Sequence, residues 1–142
     1  MTLRKRKNHW EAAVSVVYSM NPKGDVNREL FFLYENLSRY VSTPPKSWNP
    51  DNIRDFTIIF NYTGRLMEYW NAAIRETAEG QGVSHGRRNK ILYYIAKIIM
   101  LKDSIERSVG DVQGLYLLQE MDQVLDEVGR IITLICVLED TA

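Results

Sequence analysis

Residues 112–138 read VQGLYLLQEMDQVLDEVGRIITLICVL. Leu118, Met121, Leu125, Val128, Ile132 and Ile135 alternate spacings of three and four, and Val124, Ile131 and Leu138 add a second row beside them. That period places all nine on one wide face of an α-helix, the seam by which a bundle helix meets its neighbours. Asp111 stands where the N-cap of this helix belongs, and Gly110 where a preceding helix must stop.

The same reading extends back along the chain. A helix is expected over residues 87–109; from Ile91 to Leu101 every residue but Lys97 is apolar, so its own bundle or a neighbouring subunit must cover it on more than one side. Residues 80–86, GQGVSHG, form a loop before it. A longer helix begins after Pro50, with Asp51 or Asn52 near its cap, and carries Ile53, Phe56, Ile59, Phe60, Leu66, Met67, Trp70 and Ile74 before fraying near Gly80. Pro44, Pro45 and Pro50 make residues 42–50 a connection that no helix continues through. Before it, Asp25 caps a helix over residues 26–41 with the stripe Leu30, Leu33, Tyr34, Leu37 and Val41. Asn21-Pro22-Lys23-Gly24 separates this from a first helix over residues 9–20, with Trp10, Ala13, Val14 and Val17 on one face. No segment keeps the alternation of a strand. The expectation is an all-α fold, a bundle of four to five helices forming one domain over residues 9–142, preceded by a basic arm over residues 1–8.

With 142 residues the chain is long enough to bury a core without disulfide or structural metal. Its single cysteine, Cys136, permits no internal bridge and sits in an apolar stretch, where it reads as core packing in a reducing compartment. No signal-like segment opens the chain, and its longest apolar run is too short to cross a bilayer, so a cytoplasmic, non-membrane protein is expected. Eighteen basic and eighteen acidic side chains cancel, but unevenly. Residues 1–50 carry eight against four, residues 51–100 seven against five, and residues 101–142 three against nine. The basic groups thus lie away from an acidic C-terminal third.

Two clusters supply the candidate nucleic-acid contacts. Arg4, Lys5, Arg6 and Lys7 form the densest charge in the chain, suited to tracking a phosphate backbone or to remaining a solvated arm. Arg87, Arg88 and Lys90 fall in the first turn of a helix, where the dipole already favours an anion. Tyr69-Trp70 and Tyr93-Tyr94 offer stacking platforms for bases, or core. The glycines before Arg87 lack the strand and the Gly-Lys-Ser/Thr ending of a nucleotide loop. His9 and His85 have no ligand partner at helical spacing, and Asp122 and Asp126 lack the Glu-x-x-His of a di-iron bundle, so neither metal, cofactor nor catalysis is expected. Gly129, inside the last helix, is read as a point of close approach by another helix, where Gly129→Leu would overpack.

Asp126-Glu127-Val128-Gly129-Arg130-Ile131-Ile132 resembles the Glu-Ile/Val-Gly-Arg signature that ends the last helix of a small four-helix-bundle family. That family contains the accessory variability determinants of diversity-generating retroelements and the proteins of ribosomal intervening sequences. Leu92, Ala96, Leu101 and Lys102 are similar to positions of its third helix, and Pro22-Lys23-Gly24-Asp25-Val26-Asn27-Arg28-Glu29-Leu30 to the turn between its first two. The chain departs from the family in its Pro-rich connection, its extra long helix and its zero net charge. The resemblance implies a non-enzymatic, ring-forming bundle that binds a reverse transcriptase and its template RNA. The expectation is therefore a homo-oligomeric accessory subunit contacting RNA or single-stranded DNA and a larger protein partner. The alternative is a protein–protein adaptor or structural assembly subunit without nucleic-acid binding.

Overall fold

The computed structural model describes residues 26–78 and 83–141, and within them every regular element is helical. The four helices are α1 (Val26–Ser42), α2 (Pro50–Ala78), α3 (His85–Glu106) and α4 (Val112–Thr141). The helix expected over residues 9–20, its stop at residues 21–24 and the Asp25 cap lie outside the described residues.

Each helix contributes a seam at spacings of three and four. It runs through Val26, Leu30, Leu33 and Leu37 in α1, and through Phe56, Ile59, Thr63, Leu66, Trp70 and Ala73 in α2. In α3 it is Arg88, Ile91, Ile95, Ile98, Lys102 and Ile105, and in α4 Leu118, Met121, Leu125, Val128, Ile132 and Ile135. Thr63 is tolerated in a buried row because its hydroxyl donates to the Ile59 carbonyl, 2.8 Å away. Short connections make successive helices antiparallel, and α1 closes the ring against α4, with Asn36 Nδ2 donating to the Glu120 carboxylate at 3.3 Å. The result is an up-down-up-down bundle in which α1 and α3 sit diagonally. No helix among the described residues is long and apolar enough to cross a membrane.

The helix ends differ from the sequence reading in ways that capping explains. Asn49, not Asp51 or Asn52, caps α2: its Oδ1 accepts the Asn52 amide at 2.8 Å, and Pro50 takes the first helical position, where its missing N–H costs nothing. Ser84 caps α3, accepting the Arg87 amide at 3.2 Å, so His85 and Gly86 are already helical.

The Pro-rich connection closes one end of the bundle. Trp48 is folded under it, stacked on Phe56 with ring centroids 4.1 Å apart, and its indole N–H donates to Asp111 Oδ1 at 2.8 Å. Asp111 also accepts the Gly114 amide at 2.9 Å, capping α4 as its sequence position predicts. Beside this, Ser108 donates to Asn52 Oδ1 at 2.9 Å.

The glycine at the tightest contact is Gly114, not Gly129, and the glycine that meets another helix is Gly64, where a Cβ would lie 3.2 Å from Cε2 of Tyr34 on α1. A Cβ on Gly114 would lie 2.6 Å from Cγ1 of Val109, a stiff and buried side chain, whereas a Cβ on Gly129 would meet no heavy atom within 4 Å. Gly129→Leu therefore meets open space rather than an overpacked crossing. Gly114→Ala is expected to lower the denaturation midpoint: overpacking costs about 1–3 kcal/mol against roughly 1 kcal/mol of gained helix propensity. A raised melting temperature would contradict the contact.

Candidate nucleic-acid interface

From His85 to Leu101 there is no carboxylate, and five cations stand between Arg87 and Lys102. Lys90, Tyr93 and Lys97 are three, four and seven residues apart, hence neighbours on one face of α3. Tyr93 is 47% exposed, and both ammonium groups lie over its ring, Lys90 Nζ 5.8 Å and Lys97 Nζ 5.6 Å from the centroid.

The ring does not stand alone. Tyr93 meets Tyr94 edge-on at 5.3 Å, and Tyr94 reaches across to α2, 5.8 Å from Tyr69 in a stacked arrangement and 5.7 Å from Tyr62. Tyr62 and Tyr69 are seven residues apart on α2 and so face α3 together. Arg87 adds a guanidinium 5.9 Å from the Tyr69 ring. A band of four tyrosines thus crosses the α2–α3 seam, edged by Arg87, Lys90 and Lys97.

The structure distributes the sequence-predicted residues unevenly. Lys90 is exposed on this band. Arg87 is half-buried and paired with the Glu76 carboxylate, which also accepts the Ser84 amide at 3.3 Å. Arg88 is 8% exposed, and its Nε donates to the Val83 carbonyl at 3.0 Å, which places it in the core rather than on the surface. Arg4, Lys5, Arg6 and Lys7 lie outside the described residues, as does the side chain of Cys136. Trp70 is buried and carries no stacking surface; its partner in the sequence reading, Tyr69, does. Lys97 was not among the expected contacts, although its spacing from Lys90 and Tyr93 carries the signal.

No family model, curated protein or solved structure matches the chain. The local chemistry is therefore the ground for its function.

A second charged centre lies at the other end of α3. Lys102 is buried, and its Nζ lies 2.8 Å from Asp122, 3.1 Å from Glu106 and 3.5 Å from Asp103. Burial pulls its pKa down, but hydrogen bonds and charge attraction from Asp122 and Glu106 outweigh this and hold it above the ordinary 10.5. A cation with a raised folded-state pKa stabilises fully below its unfolded value and loses that contribution as pH climbs through the folded one. Lys102→Met is thus expected to be less stable than the parent at neutral pH, with the gap closing above 10.5. Urea midpoints of both chains across that range test it.

Between α3 and α4 an open groove of about 900 Å³ is lined by Leu92, Ile95 and Ile99 on one side and Leu125, Gly129 and Leu134 on the other. Asp122, Asp126 and Arg130 stand at its edge, the last two ion-paired at 3.0 Å. Met100, 66% exposed, continues the apolar surface along α3. The surplus of apolar face foreseen for α3 is thus a surface feature of the described chain.

Proposed function

We propose that this protein is a non-enzymatic accessory subunit whose α2–α3 face binds single-stranded nucleic acid, RNA or DNA. The observation that supports the reading is the band of Tyr62, Tyr69, Tyr93 and Tyr94 edged by Lys90, Lys97 and Arg87. An exposed ring gives a base a stacking surface, and ammonium groups on either side neutralise the phosphates that flank that base. Because every base has a π-face, such a band favours unpaired strands with little sequence preference. The proposal rests on this face and not on Arg4–Lys7. A larger partner of the kind the family resemblance implies, a reverse transcriptase, would meet the RNA held here.

The exposed Leu92, Ile99 and Met100 favour a second reading, a protein–protein adaptor in which the cations only solubilise. Fluorescence anisotropy of labelled single-stranded RNA and DNA separates the two. Binding at about 50 mM salt is expected, with log K falling against log salt by about 0.7 for each phosphate neutralised. Lack of binding to both strands under that weak screening would remove the nucleic-acid reading and leave the adaptor.

A further inference from the structure

We propose that α3 pairs with α3 of a second copy of this chain, the two helices antiparallel across a two-fold axis at Ala96 and each lying along the α3–α4 groove of the other. The inference does not rest on nucleic-acid binding, because Lys90 and Lys97 are turned about a third of a turn round α3 from this face.

Two stripes run along α3. One, from Arg88 to Ile105, enters the bundle. The other, Asn89, Leu92, Ala96, Ile99 and Asp103, also alternates spacings of three and four, and all five residues are exposed. Leu92 and Ile99 line the groove, and Met100, 66% exposed, stands beside them. A three-and-four period sustained over two heptads is the seam of a helix pair. The bundle uses the first stripe, which leaves the second for a helix from outside the fold.

The second stripe is nearly palindromic in chemical kind. On either side of Ala96 stands an aliphatic residue and beyond it a polar one, an amide at residue 89 and a carboxylate at residue 103. An antiparallel pair centred on Ala96 sets Leu92 against Ile99 and Met100 of the second copy, and Asn89, a donor, against its Asp103. The alanines meet at the axis, where their small side chains let the helices approach. A parallel pair would instead set Asp103 against Asp103.

Charge selects the same arrangement. From His85 to Leu101 α3 has no carboxylate, and its N-terminus is the positive end of its dipole. Asp103, Glu106 and Asp122 surround the single ammonium of Lys102, a local surplus of two negative charges, and each carboxylate is about half exposed. Antiparallel pairing brings the first turns of one α3 to these carboxylates of the other, and symmetry makes the contact twice. On the α4 wall of the groove, exposed Asp126 and Thr133 add a polar rim to the apolar centre.

Sedimentation of the full chain at micromolar concentration is expected to give a species of twice 16.5 kDa. A monomer throughout would overturn the proposal. Ala96→Glu, at an exposed position, sets two like charges on the axis and is expected to raise the dimer dissociation constant about tenfold or more with helix content unchanged. An unaltered constant would place the contact elsewhere and overturn it too. Single cysteines in a Cys136→Ser background read the register. Asn89→Cys or Asp103→Cys alone holds its two thiols roughly 20 Å apart in the antiparallel pair, so neither chain is expected to cross-link with itself on mild oxidation, whereas a mixture of the two should form the mixed disulfide. Self-linked dimers in place of the mixed one, or no mixed disulfide, would rule the arrangement out.

Discussion

Trp48→Ala is expected to cost about 3–5 kcal/mol, the range for removing a large buried aromatic, and so to consume much of a typical stability of about 5–15 kcal/mol. Trp48 lies in the connection between α1 and α2, not in a helix, yet it is 6% exposed and packed between Tyr40 and Phe56. Its removal opens a cavity at the end of the bundle and strips Asp111 of the indole N–H that it accepts. Trp48→Phe keeps most of the stacking and loses only the hydrogen bond, so its cost should be nearer 1 kcal/mol. Phe31→Ala is the contrast: Phe31 is half-exposed on α1, and its truncation should move the urea midpoint little. Equal losses at residues 31 and 48 would mean that the Pro-rich connection does not close the core.

The role of Trp48 marks where the sequence stopped being legible. Periodicity located all four described helices, because seams at spacings of three and four survive any detail of packing, and the stripe in residues 112–138 matches the buried row of α4. Residues 42–50 show only a break, since three prolines announce where a helix stops but not which side chain folds back beneath it. The two glycines illustrate the same limit. Gly129 suggests a crossing because it interrupts an apolar helix, while the tightest contact belongs to Gly114, set by the cap geometry of Asp111 and the return of Val109. For the candidate site, charge clustering puts Arg87, Arg88 and Lys90 together in one helical turn, but does not show that Arg88 turns into the core to meet the Val83 carbonyl. Nor did it find Tyr62, whose approach to Tyr94 depends on the register of α2 against α3. Residues near in sequence were readable; residues joined by the packing of two helices were not.

That difference decides which variant probes the interface. Replacing Arg87, Arg88 and Lys90 together would disturb a buried guanidinium and the Glu76 pair, so any loss of binding would be mixed with loss of structure. Lys90→Ser with Lys97→Ser changes two side chains whose described contact is the face of Tyr93. It is expected to leave the melting temperature nearly unchanged and to flatten the salt dependence of single-strand binding by about 1.4 log units per decade, two phosphate contacts at about 0.7 each. Tyr93→Ala should act differently. Loss of one stacked base is worth about 1–3 kcal/mol, roughly 5- to 150-fold in Kd, and should leave the salt slope as it was, because stacking releases no counterions. Arg54→Ser serves as the charge control: it removes an exposed cation held by Asp51 and Asp55 toward the start of α2, and should change neither quantity appreciably. Anisotropy titrations of the four chains at several salt concentrations give both numbers at once. If Arg54→Ser flattened the slope as much as the lysine pair, binding would follow net charge alone, and the tyrosine band would have no part in it.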